Sequence, residues 1–294
     1  MIKIRIPAST ANLGSGYDSL GIALNLYNFV EMEEADGCFI SSADGSEVPT
    51  GEDNLIYLSA KKVYEKAGKH FSGLRIIEEN NIPFARGLGS SSACIIGGVF
   101  GANELLGRPV SKCELLIIAA EIEGHPDNVS PALLGGFTVN VMDKNVKFCR
   151  ADVSDELSFV AFVPPFELKT ADARAAIPKE VTVKDAVFNL SRSALVTASF
   201  LSKDYGNLKA GCDDRLHQPY RLPLIPGGEK IIAESYKNGA LAAYISGAGS
   251  TMMAVFNADK ESVKSFANSL LSAEEFSGWK YFILNADNSG AAAL

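Results

Sequence analysis

The chain has 294 residues, 47% apolar and 21% charged, and its 27 Lys and Arg against 35 Asp and Glu give a formal net charge of −8. At roughly 100–200 residues per domain, that length predicts two domains with substantial cores, and the acidic balance argues against a nucleic-acid binder, which would carry a basic stripe. Five scattered cysteines without a CxxC pair predict neither a disulfide framework nor a zinc site, and no apolar run approaches the ~20 residues of a bilayer span, so the expectation is a soluble cytoplasmic protein with no membrane partner.

In chain order, "IKIRIP" alternates with period two and reads as a strand rather than a signal peptide. "ANLGSGYDSLG" is rich in turn formers. "YNFVEMEE" and "CFISSA" read as strands, and "DNLIYLSAKKVYEKAG" as a helix opened by Asp53 or Asn54 and closed by Gly68. "GLRIIEENN" is a strand leading into "PFARGLGSSSACIIGG". Ala93 to Leu106 reads as a helix despite Gly97, Gly98 and Gly101, each costing about 1 kcal/mol relative to Ala, which predicts close packing against another backbone. "SKCELLIIAAEIEG" is a cleaner helix, with Ser111 and Glu114 forming a capping box, and "GGFTVNVM" is a strand. The polar stretch Cys149 to Ser158 marks a boundary, giving domains 1–152 and 153–294. In the second half, "SFVAFVP" is a strand, Val183 to Lys203 and "GGEKIIAESYKNG" are helices, and "ALAAYIS" and "TMMAVFN" are strands. A helix near "KESVKSFANSLLS" and a strand "WKYFILNA" complete the pattern of a small α+β sandwich.

Three segments concentrate Gly and small hydroxyl residues: Ala11–Asp18, Gly87–Ala93 and Ser246–Thr251. Such a loop can turn backbone N–H groups toward an anion, and a following helix adds free donors and the positive end of its dipole. A lone loop of this kind is more commonly a tight turn. Gly87–Ala93 lacks the GxxxxGK[ST] of a Walker loop and the GxGxxG of a dinucleotide site. "EIEGHPDN" (Glu121–Asn128) packs three carboxylates, an imidazole and an amide into eight residues. Phosphoryl transfer needs hard oxygen ligands for Mg²⁺ and a group to orient the attacking hydroxyl. Glu121 is a candidate for the first need and Asp127 or Asn128 for the second, against the plainer reading of an acidic helix end. Arg174 and Arg221 sit near prolines in loop-like segments, where a guanidinium fork suits a carboxylate.

Taken in order, "PASTANLGSGYDSLG", "PFARGLGSSSA", "EGHPDN" and "SGAGST" resemble the motifs of the GHMP small-molecule kinases, from residue 2 to about residue 256. Within that family "EGHPDNVSPALLGG", "KTADARAAIP" and "DRLHQPYR" are most similar to the homoserine kinases. The resemblance implies a two-domain α+β fold: an N-terminal S5-like sandwich, a ferredoxin-like C-terminal domain and a site between them. It implies phosphoryl transfer from ATP to the hydroxyl of L-homoserine, a step toward threonine, and a homodimer. It puts the ATP phosphates on Pro83, Phe84, Ala85, Arg86, Gly87, Leu88, Gly89, Ser90, Ser91, Ser92 and Ala93. Glu121, preferred to Glu123 because it precedes the "EGH" turn by two as in relatives, holds Mg²⁺ with Ser91. Asn12, Asp18, His125, Asp127 and Asn128 line the amino-acid site, with Asp18 at the ammonium and Thr170, Arg174 and Arg221 at the carboxylate. Asn128 stands where several relatives have an Asp, and an amide accepts no proton. The implied catalysis therefore rests on alignment and charge neutralisation by Asp127, Asn128 and Glu121.

Overall fold

Two sheets organise the computed structural model, which describes all 294 residues. The first half runs β1 (Ile2–Ala11), β2 (Leu20–Glu34), β3 (Gly37–Ser42), α1 (Leu55–Ala67), β4 (Gly73–Glu79), α2 (Ser90–Leu105), α3 (Lys112–Glu123), α4 (Val129–Leu134), β5 (Phe137–Met142) and β6 (Val146–Ala151). The second runs β7 (Ser158–Val163), α5 (Thr170–Ala175), α6 (Val183–Ser202), α7 (Leu208–Gly211), α8 (Gln218–Arg221), α9 (Gly228–Lys237), β8 (Ala242–Ile245), β9 (Met252–Phe256), α10 (Lys260–Leu271), β10 (Lys280–Leu284) and β11 (Ala292–Ala293). No helix is long and apolar enough to cross a membrane.

The first sheet has the order β11-β1-β2-β4-β3, with β5 also on β2 and β6 on β5. Its pairings are antiparallel except β3 with β4. β2 begins seven residues before the "YNFVEMEE" that the alternation picked out, at Leu20 rather than Tyr27. Its first half is flanked by β1 and β5, so Leu20 to Leu24 are buried throughout and carry no period-two signal. β6 runs into the stretch read as a polar boundary, which holds its last residues, Cys149 to Ala151. It is an edge strand paired only with β5, and its largely exposed residues are polar for that reason.

The expected caps are present. The Asn54 side chain accepts from the N–H groups of Ile56 and Tyr57, Gly68 closes α1 in the left-handed region, and Ser111 and Glu114 form the capping box of α3. Helix α2 begins at Ser90, three residues earlier than the apolar pattern suggested. It is apolar all round because α1, α3 and the sheet enclose it. A Cβ at Gly98 would lie 2.3 Å from the carbonyl oxygen of Ile56, so α2 runs against the backbone of α1 where only glycine fits.

The second sheet is antiparallel in the order β10-β7-β9-β8, the ferredoxin-like arrangement. Every residue of β7 is buried because both faces are covered. Phe159, Ala161 and Val163 join the main core, while Val160 and Phe162 join a second cluster with residues of α9 and α10. The division at 152 needs one correction. Residues after β10 return to the first sheet, where Ala292 and Ala293 pair with Arg5 and Ile4, and Asp287 donates its N–H to the carbonyl of Ala23. The second unit therefore does not run to 294.

Candidate active site

One cleft lies between the halves, lined by Asn12 and Asp18, the 85–91 loop, Glu123 to Asn128, Thr170, Arg174, Arg221 and the 247–249 loop. Its floor on one side is the start of α2. The cap position, Gly89, has φ 72°, and no side chain caps the helix, so the first-turn N–H groups stay open to an anion. A Cβ at Gly89 would sit 2.1 Å from the Ser9 hydroxyl, so both φ and space require glycine there. The loop is fixed from behind: Ser9 donates its N–H to the Leu88 carbonyl at 3.1 Å, and the Ser246 and Thr251 hydroxyls donate to the carbonyls of Gly87 and Arg86. Arg86 points its guanidinium at the carbonyls of Phe166 and Pro165, 3.0 Å each, tying the loop to the second half.

Of the eleven residues assigned to the phosphates, Ala85, Arg86, Gly87, Gly89, Ser90 and Ser91 line the cleft. Leu88, Ser92 and Ala93 are buried behind it, and Pro83 and Phe84 lie outside it, Phe84 largely exposed. The carboxylate facing the serines is Glu123, not Glu121. Glu123 accepts from Ser91 at 3.1 Å and from Ser92 at 2.8 Å, whereas Glu121 is exposed on α3 and touches neither. Two positions along a helix turn the side chain by about 200°, so only one of the pair can face the cleft. The choice by distance from the "EGH" turn picked the wrong face. The hydroxyl of Ser90, which lines the cleft, is buried with no partner.

After α3, Gly124 reverses the chain and "HPDN" crosses the cleft. His125 Nδ1 donates to Asp127 Oδ1 at 2.5 Å, and Asp127 is 1% exposed. Burial opposes charge on the imidazole, but the hydrogen bond and the negative charge of Asp127 outweigh it and raise the His125 pKa above its ordinary value. Asn128 accepts from the Ser9 hydroxyl at 2.9 Å, which fixes its amide and leaves the NH₂ beside Asp127.

Across the cleft, Arg174 meets both carboxylate oxygens of Asp18, 2.9 Å each, and donates to the Tyr17 hydroxyl at 2.9 Å. Arg221 is 1% exposed and has no carboxylate within 4 Å. Its Nε donates to the Ala173 carbonyl and one Nη to that of Gly247, 3.1 Å each. Burial pushes its pKa below the usual arginine value, yet a guanidinium stays protonated. A buried cation without a counter-ion, opening on a cleft, is a receptor for an anion. Thr170, the first residue of α5, is exposed at the rim.

The sequence reading placed Asn12 at the substrate and passed over Asp214, which holds these groups from behind. Asn12, at φ 70°, donates to the Gly247 carbonyl at 2.7 Å and accepts from the Asp18 N–H at 2.9 Å. The buried Asp214 accepts four hydrogen bonds: from Asn189 Nδ2 (2.5 Å) and from the N–H groups of Leu216, His217 and Gln218 (2.9, 2.9 and 2.6 Å). It thereby sets the start of α8, which carries Arg221. His217 is kept neutral by burial, which lowers its pKa. Its Nε2–H donates to the Gly14 carbonyl at 2.7 Å, so Nδ1 is the acceptor facing Arg221, and its ring stacks on Tyr17 at 5.2 Å. The Asp in "DRLHQPYR" three residues before His217 was the available signal, as an Asx cap.

Residues 54–136 match the GHMP kinases N terminal domain and residues 196–274 the GHMP kinases C terminal domain. The chain is 46% identical to the homoserine kinase of Clostridium beijerinckii, covering 100% of this chain and 99% of that protein. It is 43% identical to that of Caldicellulosiruptor bescii, covering 100% and 97%. The crystal structure of homoserine kinase from Cytophaga hutchinsonii superposes with a TM-score of 0.90 at 27% identity, over 100% of this chain and 97% of that one. A mevalonate kinase at 16% identity and a TM-score of 0.73 shares the fold. The chain belongs to the GHMP kinases and, within them, to the homoserine kinase family.

Proposed function

We infer that the cleft transfers the γ-phosphoryl group of ATP to the side-chain hydroxyl of L-homoserine, giving O-phospho-L-homoserine and ADP. One observation carries this reading. The uncapped N-terminus of α2 and the Asp18–Arg174–Arg221 group line the same cleft, so an anionic phosphate site and an amino-acid site face each other. The 85–91 loop and the start of α2 receive the phosphates. Asp18 takes the ammonium and Arg174 and Arg221, with Thr170 at the rim, take the carboxylate, leaving the hydroxyl pointing toward the γ-phosphorus beside Asp127 and Asn128.

The donors fit Mg²⁺, which prefers hard oxygen ligands. Glu123 supplies a carboxylate, Ser91 a hydroxyl open to the cleft, and the Ser90 hydroxyl has no protein partner. When bound, Mg²⁺ neutralises charge on the phosphates. In the reaction the homoserine oxygen forms its bond to phosphorus as the bond to the ADP oxygen breaks. Asp127 is already engaged with His125, so its role is to orient that imidazole and the hydroxyl rather than to pull the proton early. A loose phosphoryl-transfer transition state asks little of the nucleophile, and the hydroxyl proton leaves late, to water or to an oxygen of the transferred phosphoryl group. The five free cysteines suit a reducing compartment such as the cytoplasm.

The test is ADP release with L-homoserine, mevalonate, galactose and shikimate as acceptors. Homoserine alone is expected to stimulate release, and Glu123→Ala to abolish it. Comparable rates with an acceptor lacking an ammonium group would overturn the reading.

A further inference from the structure

Arg174 on α5 and Arg221 on α8 reach the cleft from separate helices, and one side chain touches both. The centroid of the Tyr17 ring lies 5.6 Å from the Arg174 Cζ and 5.2 Å from the Arg221 Cζ, within the range of cation–π attraction. Its hydroxyl also accepts from Arg174 Nη1 at 2.9 Å. Two guanidinium groups repel each other, so their spacing needs a third group that attracts both. A carboxylate between them would do so, but it would also cancel the charge that an anionic substrate needs. An aromatic ring attracts through its negative face and leaves the charge in place. Burial, with the Asp18 carboxylate beside it, raises the Tyr17 pKa, so the hydroxyl meets Arg174 as a neutral phenol.

Tyr17 can serve as a spacer because its own position is fixed. The turn that carries it, between β1 and β2, is pinned to the second half. The Gly14 carbonyl accepts from His217 Nε2 at 2.7 Å, Ser15 donates its hydroxyl to the Gly211 carbonyl at 2.7 Å, and the Ser15 carbonyl accepts from Asn189 Nδ2 at 3.2 Å. A Cβ at Gly14 would lie 2.0 Å from the carbonyl oxygen of Cys212, so the two backbones are in contact there. The Tyr17 ring stacks on the buried His217 ring at 5.2 Å with 28° between the planes.

We propose that Tyr17 is a positioning residue: it sets the distance between the Arg174 and Arg221 guanidinium groups, and so selects acceptors that carry a carboxylate beside the ammonium. The inference rests on the reading of the cleft as an amino-acid site and adds the source of its selectivity. Tyr17 does not line the cleft, so it acts through the arginines rather than on the substrate. A carboxylate takes two guanidinium groups at once only when both stand at matching distance. With the spacer gone, repulsion moves them apart and the carboxylate keeps one. Asp18, whose own N–H is fixed on Asn12 at 2.9 Å, keeps the ammonium.

The experiment compares L-homoserine with 3-aminopropan-1-ol, which has the same ammonium and hydroxyl without the carboxylate, in steady-state ADP release by the full chain. Tyr17→Phe is expected to raise the KM for homoserine about tenfold, the loss of one hydrogen bond to a charged group. Tyr17→Leu is expected to raise it about 10²-fold, since the ring goes as well. In both, kcat with homoserine is expected to change by less than about twofold, as for binding lost equally from ground and transition states. The kcat/KM for 3-aminopropan-1-ol is expected to stay within about twofold of wild type, so the preference for homoserine falls by the same factors. In an Arg174→Met background, Tyr17→Phe is expected to add less than about twofold, because the hydroxyl then has no guanidinium to hold. Equal losses with the two acceptors overturn the proposal, since a general structural role would produce them, and so does an unchanged homoserine KM in both variants. If Tyr17→Leu does not fold, the conservative Tyr17→Phe decides by the same comparison. A wild type without homoserine-dependent release defeats the reading of the cleft and this proposal together. A wild type active with homoserine, whose Tyr17 variants keep its preference, defeats this proposal alone.

Discussion

The guanidinium of Arg174 is held by both carboxylate oxygens of Asp18 at 2.9 Å. The two groups expected at opposite ends of the bound amino acid therefore neutralise each other in the free protein. An entering zwitterion exchanges partners with them, its ammonium going to Asp18 and its carboxylate to Arg174 and Arg221. Asp18→Asn and Arg174→Met should each raise the KM for homoserine by about 10²-fold, the scale of losing one charge-assisted contact. Because they share one ion pair, the double variant should cost less than the sum of the singles, by about 0.5–3 kcal/mol. Strict additivity in steady-state kinetics would mean the pair does not exist in solution.

Glu123 and Glu121 separate by face. Glu123→Gln should reduce kcat by about 10²–10³-fold, the usual loss when one stabiliser of developing charge is removed, and should raise the Mg²⁺ concentration needed for half-maximal rate. Glu121→Gln should change both by less than twofold. Mg²⁺ titrations of the two variants decide it, and a large effect at Glu121 would reverse the assignment.

His125 gives the site a pH signature. Its folded pKa is raised above the ordinary 6.5 by Asp127, against the pull of burial. The pairing therefore stabilises the fold fully below about 6.5, and the contribution fades as pH rises through the raised folded value. Comparing thermal melts of wild type and His125→Asn, the difference should be largest near pH 6 and shrink by about pH 9. A difference that grows with pH would contradict the pairing.

Asp214 lies behind the substrate groups and should act through them. Asp214→Ala leaves the N–H groups of His217 and Gln218 without their acceptor and frees the start of α8. It should cost about 1–3 kcal/mol of stability for the buried donors left unpaired. It should also raise the KM for homoserine more than it lowers kcat, since Arg221 loses its aim. Asp214→Asn keeps the acceptor oxygen at one position and should recover part of both. A changed kcat with unchanged KM would place Asp214 elsewhere in the mechanism.

The capped, amphipathic parts of the chain were legible in the sequence: Asn54 and Gly68 around α1, and the Ser111–Glu114 box of α3. Gly98 was legible as a packing glycine, and the structure supplies the backbone it packs on. What the sequence concealed depends on contacts distant along the chain. The first half of β2 is flanked on both sides, which erases alternation. Glu121 and Glu123 are alike in composition and spacing, and only the rotation of α3 against α2 separates them. Asp18 and Arg174 were each placed at the substrate, but that they close on each other across 156 positions is a property of the fold.

The return of Ala292 and Ala293 to the edge of β1 ties the order of assembly to the order of synthesis. The sheet that carries the phosphate loop opens with β1, yet its far edge is supplied only after the whole second sheet has been translated. A fragment ending near 152 would emerge with the β1 edge unpaired and without the Asp287 carboxylate that accepts from the Tyr27 hydroxyl. That edge of β1 at Ile4 and Arg5 is therefore completed only by residues that leave the ribosome much later.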